Sequence, residues 1–144
     1  MRQEIKSLEE MDKFALDLIS KISPGKEAVV LALSGNLGAG KTAFVKSLAK
    51  NLGAARVIQS PTFVIMKKYE IKHPVFKFLI HIDAYRIEGH KELQILGWEE
   101  ILKDPTNIVA IEWPENVKNL ILNSATKIHF EFIDDKTRSV TGDL

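Results

Sequence analysis

Lys41 and Thr42 close the stretch Ser34-Gly35-Asn36-Leu37-Gly38-Ala39-Gly40-Lys41-Thr42, which has the spacing G-x-x-x-x-G-K-S/T. These residue types suit a polyphosphate. Successive backbone N–H groups converge on one anion only where some residues take a positive φ, which glycine does at little cost. Gly35, Gly38 and Gly40 supply such positions, and Leu37 and Ala39 add amides between them. Lys41 is read as a point charge on the β- and γ-phosphates, and the Thr42 hydroxyl as a Mg²⁺ ligand. A helix opening at Lys41-Thr42 adds the positive end of its dipole.

The flanking sequence has the elements such a loop needs. Ala28-Val29-Val30-Leu31-Ala32-Leu33 is a continuous apolar run and predicts a buried strand of a parallel sheet. Ala43, Phe44, Val45, Leu48, Ala49 and Leu52 recur at helical spacing up to Gly53. Ligands of α/β sheets sit beyond the carboxyl ends of the strands, so the residues at other strand ends matter. The apolar run ending near Ile82 delivers Asp83, and the run Asn107–Ile111 delivers Glu112. Either carboxylate could hold or orient Mg²⁺. Thr62, on the proline-stiffened turn Ser60-Pro61-Thr62-Phe63, could meet the γ-phosphate or its Mg²⁺ as a switch loop does. Arg86 reads as structural. His73, His81, His90 and His129 lack metal-ligand spacing, and His81, two residues before Asp83, shares its face of the strand and reads as an orienting or core residue.

The rest of the chain reads as alternating elements. Ser7-Leu8-Glu9-Glu10 is a capping box before an apolar helical face running to Ile22, ended by Ser23-Pro24-Gly25. Val57–Gln59, Thr62–Glu70 and Phe76–Asp83 read as strands, the last two close enough to require an antiparallel hairpin. Glu88–Leu102 reads as one helix, Asn107–Ile111 as a central strand and Glu115–Leu122 as a short helix. Thr126–Ile133 alternates like an edge or half-buried strand, and Asp134–Leu144 reads as a turn and loose tail with room for one more short strand. The expected fold is α/β: a three-layer P-loop arrangement, its mixed sheet having parallel core strands and an antiparallel hairpin, in one domain over residues 1–144.

Composition bounds the function. The 144 residues carry 20 basic and 19 acidic side chains, a balance that argues against an autonomous nucleic-acid binder. There is no cysteine, which excludes a disulfide framework and a thiol nucleophile. Met1–Lys6 is too polar for a signal peptide, and no apolar run approaches the about 20 residues a membrane span needs, so a cytoplasmic protein with no membrane partner is expected. The absence of an N/T-K-x-D segment argues against guanine recognition. A small-molecule kinase on the same loop is the alternative, but the chain has only Arg2, Arg56, Arg86 and Arg138 for a phosphate-covering lid.

Together the loop, Ser60-Pro61-Thr62-Phe63 with Tyr69, His81-Ile82-Asp83-Ala84-Tyr85-Arg86, Glu92-Leu93 through Leu96-Gly97, and Ile111-Glu112-Trp113-Pro114-Glu115 resemble the TsaE (YjeE) family of P-loop ATPases, in order and over roughly residues 7–138. The resemblance implies ATP and Mg²⁺ as cofactors, with Lys41 and the loop amides on the phosphates. It implies Thr42 and Glu112 as metal ligands, Asp83 as the Walker B-like residue, Thr62 as a switch residue and Trp113 beside the nucleotide. It further implies work with TsaB and TsaD in forming threonylcarbamoyladenosine on tRNA, with tRNA met only through that complex. Alone, a monomer or weak oligomer is expected. Two departures stand out: Ile87 replaces a commoner leucine, and Asp134–Arg138 lacks the glycine often found before the arginine, which leaves the tail's part in the nucleotide pocket open.

Overall fold

A computed structural model describes residues 1–59, 65–87, 90–121 and 123–143. In chain order it has β1 (Arg2–Ile5), α1 (Leu8–Lys21), β2 (Val29–Ser34), α2 (Lys41–Asn51), β3 (Arg56–Gln59), β4 (Met66–Glu70) and β5 (Phe78–Asp83). Then follow α3 (His90–Ile95), α4 (Trp98–Lys103), β6 (Asn107–Glu112), a 3-10 helix (Pro114–Leu120), β7 (Thr126–Asp134) and β8 (Thr137–Gly142). Among the described residues the strands form one eight-stranded sheet in the order β1-β8-β7-β2-β6-β5-β4-β3. β7, β2, β6 and β5 run parallel, and antiparallel strands flank them on both sides. The sheet is thus the expected mixed one, with the strand before the glycine loop near its centre.

Alternation along the central strands fills both faces, as a doubly covered sheet requires. Leu31, Leu33, Leu79, Ile108 and Ala110 pack with Phe14 and Leu18 of α1 and Phe44 and Leu48 of α2. Val30, Ala32, Ile80, Ile82, Val109 and Ile111 pack with Leu93, Trp98, Leu102 and Val117 on the other face. Helices therefore cover both faces. All six residues of β6 are buried. The rings of Phe14, Phe44 and Phe130 form a tilted series with centroids 5.5 Å apart, tying α1, α2 and β7 together. Each fully buried side chain of this size contributes about 1.5–3 kcal/mol.

The expected N-cap forms, with the return bond one residue earlier than in a capping box: Ser7 Oγ accepts from the Glu10 N–H at 3.1 Å, and Glu10 Oε1 accepts from the Lys6 N–H at 3.0 Å. One expectation changes, and three readings are completed. Met1–Lys6, read only as too polar for a signal peptide, holds β1, which forms by pairing with β8. Glu88–Leu102 is not one helix: within the described part, Gly97 takes φ +85° and separates α3 from α4. The break lets Leu93 and Trp98 both enter the core while Ile95 stays 82% exposed. Of the edge and half-buried readings of 126–133, the half-buried one holds: β7 lies between β2 and β8, and its alternation reflects one buried and one open face. The tail holds the one further short strand it had room for, β8, after a turn. The Ser60-Pro61-Thr62-Phe63 turn falls outside the described residues.

Candidate functional site

The site forms where β2 ends and α2 begins. Gly35, Gly38 and Gly40 have φ of +136°, +78° and +114°. At Gly35 there is no room for a side chain: a Cβ would collide with the Phe130 carbonyl, because β7 runs directly against this turn. A Cβ at Gly38 would meet nothing within 4 Å. Gly35→Ala is therefore expected to lower the thermal unfolding midpoint by several degrees, through about 1–3 kcal/mol of backbone strain plus the collision. Gly38→Ala should cost only its backbone strain, about 1–2 kcal/mol. Equal unfolding midpoints for the two variants would show that the approach of β7 does not shape the loop.

Lys41 differs from expectation. Its head should face solvent in the empty protein, but the residue is only 4% exposed. The ammonium donates to the Gly35 carbonyl and lies 3.7 Å from the centroid of the Trp113 indole. Trp113 reaches it by taking φ +60°, the only positive φ of a non-glycine among the described residues. Tyr85 packs on the indole, centroids 5.0 Å apart. Burial holds the Lys41 ammonium below the ordinary lysine range, and the negative charges of Glu112, Glu115 and Asp83 oppose that shift.

Next along α2, Thr42 Oγ1 donates toward both Glu112 oxygens, at 3.3 and 3.4 Å. Glu112 is 4% exposed, and its Oε2 lies 2.6 Å from His81 Nε2. Asp83 stands opposite Glu112 in the parallel β5–β6 register. It is exposed, and its Oδ1 accepts from the Tyr85 N–H at 3.0 Å. Of the two strand-end carboxylates, then, Glu112 faces the loop threonine. Among the described residues no three His, Cys, Asp or Glu side chains gather as a metal cluster. The pair of Thr42 and Glu112 nonetheless fits Mg²⁺, which takes oxygen ligands and commonly needs only one or two from protein beside phosphate and water.

A cavity of about 530 Å³ opens beside the loop, a size ordinary for a small-molecule site. Its walls are the start of α1 (Lys6, Ser7, Leu8), the loop (Leu37, Gly38, Gly40, Lys41) and the β7–β8 turn (Asp135, Lys136, Arg138). Arg138 Nε donates to the Gly38 carbonyl at 3.2 Å, and its guanidinium lies 4.6 Å from the Phe132 ring centroid. The tail thus reaches the loop without the glycine that its sequence lacks. Sequence reasoning passed over Ser7, Lys136 and Arg138 as wall residues. For Ser7 the signal was the capping box that fixes the start of α1; for Lys136 and Arg138 it was the strand alternation of 126–133 followed by an Asp-Asp turn, which implies a returning strand. His73 only closes a turn, its Nδ1 accepting from Val75 and Phe76.

The chain matches the family described as "Threonylcarbamoyl adenosine biosynthesis protein TsaE" over residues 5–140. Proteins named "tRNA threonylcarbamoyladenosine biosynthesis protein TsaE" are similar to it. That of Rickettsia typhi is 36% identical over 81 residues, covering 56% of this chain and 53% of the relative. That of Borreliella burgdorferi is 40% identical over 62 residues, 43% of each chain. The matched stretch spans about half the length of these curated relatives. The crystal structure of Bacillus subtilis YdiB superposes with a TM-score of 0.75 at 27% identity, covering 99% of this chain and 83% of that one.

Proposed function

The chain belongs to the TsaE family, and from that premise we propose that it is a Mg²⁺-dependent ATP-binding and ATP-hydrolysing P-loop protein, one domain, acting in the cytoplasm. It supports threonylcarbamoyladenosine modification of tRNA together with TsaB and TsaD. The observation that carries this reading is the meeting of Lys41, Thr42 and Glu112 at the open end of α2, beside a loop with three glycines at positive φ. No described helix is long and apolar enough to cross a membrane.

The described positions support the following roles. The loop amides of Gly35, Leu37, Gly38, Ala39 and Gly40 bind phosphate oxygens. Lys41 exchanges the Gly35 carbonyl and the Trp113 face for the β- and γ-phosphates, and Trp113 lines the nucleotide side of the loop. Thr42 and Glu112 would hold Mg²⁺, which when bound would supply positive charge to stabilise the developing negative charge of phosphoryl transfer. Asp83, exposed at the end of β5, orients the attacking water. Thr62, which lies outside the described residues, keeps the switch role that the family resemblance implies. A small-molecule kinase finds less support. Arg138 touches the loop through the Gly38 carbonyl, whereas Arg56 sits on the edge strand β3 beside Glu70.

Two measurements test this. ATP hydrolysis should be slow for the protein alone and rise when purified TsaB, TsaD and tRNA are added. Absence of nucleotide binding, or efficient phosphoryl transfer to a small acceptor without partners, would refute the assignment. The second concerns protons. Polyphosphate beside Lys41 opposes the effect of its burial and raises the lowered pKa. Binding therefore takes up protons in alkaline buffer, and affinity falls as pH rises through the lowered value. Calorimetry in two alkaline buffers of different ionisation enthalpy should give different heats; equal heats would show that Lys41 does not change partners.

A further inference from the structure

We propose that His81 is a positioning residue for Glu112, fixing the carboxylate whose oxygens face Thr42. The inference rests on the reading of Glu112 as a Mg²⁺-holding carboxylate. A terminal carboxylate torsion is broad and roughly two-fold, so an unpinned Glu112 would rotate among orientations. The contacts from Thr42, at 3.3 and 3.4 Å, are long and do not select one. The His81 contact, at 2.6 Å, is short and charge-assisted.

A carboxylate only accepts, so the proton of this bond lies on His81 Nε2. The neutral Nε2–H ring and the cationic ring both present that donor, and the role does not depend on a change of charge. The reach comes from the sheet. In the parallel register His81 lies opposite Ala110, and Glu112 is the next residue of β6 on the same face. The alanine methyl leaves the imidazole free to lie along β6 toward the carboxylate. Both side chains are largely enclosed, at 14% and 5% exposure, so water competes poorly for the bond. Partners that orient metal-holding side chains commonly account for 10- to 100-fold in metal affinity.

The test compares His81→Gln with His81→Met, which have similar volume while only glutamine can donate. A fluorescent non-hydrolysable ATP analogue is titrated at increasing Mg²⁺, and again in EDTA. In His81→Met the half-saturating Mg²⁺ should rise about 10- to 100-fold, with affinity in EDTA unchanged; His81→Gln should recover most of the loss. The role is overturned if His81→Met keeps the wild-type Mg²⁺ requirement, or if both variants lose it equally at matched thermal stability. If wild-type binding is itself indifferent to Mg²⁺, the reading of Glu112 fails first and this role with it.

Discussion

Replacing Lys41 by methionine is expected to leave a folded protein without the proposed tight ATP binding and hydrolysis. The lysine stem is enclosed between the loop and Trp113, so methionine rather than alanine is the informative variant: it keeps most of the buried length and removes the charge. The ammonium's burial is unfavourable to its charged form, and removing it relieves that cost while leaving Glu112 with one fewer nearby cation. These effects oppose each other, and the net stability change should stay within about 1 kcal/mol. Binding has no such compensation. Hydrogen bonds to a charged group contribute about 1.5–3 kcal/mol, so ATP affinity should fall about 10- to 150-fold. Hydrolysis should fall about 10²- to 10³-fold, as for loss of one donor to developing charge. Lys41→Ala should lose the same functions and also some stability, through the void left under the indole. Wild-type affinity in a folded Lys41→Met protein would remove the central claim. Tryptophan emission gives a parallel reading. Trp98 is enclosed, its Nε1 donating to the Leu120 carbonyl, whereas Trp113 is half-buried against Lys41. Nucleotide should change the emission of the wild type and leave that of Lys41→Met nearly unmoved.

The parts of this site that could be read in the chain are those made by neighbours in sequence. A buried strand, three glycines and a helix start specify the loop without help from elsewhere, and the Ser7–Glu10 cap is equally local. What could not be read depends on distant pairing. β1 is polar except at Ile5, so it has no apolar pattern to announce it; its partner β8 supplies the ladder. The sequence Glu88–Leu102 carries a continuous apolar set, and within its described part the left-handed Gly97 divides α3 from α4. Lys41 is buried because Trp113, 72 residues away in the chain, turns back over it. The bond between His81 and Glu112 needs the β5–β6 register and an alanine at 110. The choice between Asp83 and Glu112 was open for the same reason: both end strands, and only the sheet's placement of α2 brings one of them to Thr42.

That choice gives the second large effect. Glu112→Gln should raise the Mg²⁺ needed for nucleotide binding by about 100-fold, no less than loss of an orienting partner costs. Glutamine keeps the shape and can still accept from His81 and Thr42, so the fold has little reason to change, but a hard cation loses its charged oxygen. Lys41 also loses the largest of the negative charges that offset its burial, so its ammonium is held still lower and phosphate binding weakens further at alkaline pH. Asp83→Asn should behave differently. Asp83 is exposed, and asparagine can still accept from the Tyr85 N–H. Mg²⁺-dependent binding should survive there while hydrolysis slows, since the group proposed to orient water would lose its charge. The pair of variants, titrated with Mg²⁺ under identical conditions, separates holding the cation from orienting the nucleophile. If Asp83→Asn abolishes the Mg²⁺ dependence and Glu112→Gln leaves it intact, the cation belongs to the end of β5, and the closeness of Thr42 to Glu112 is packing alone.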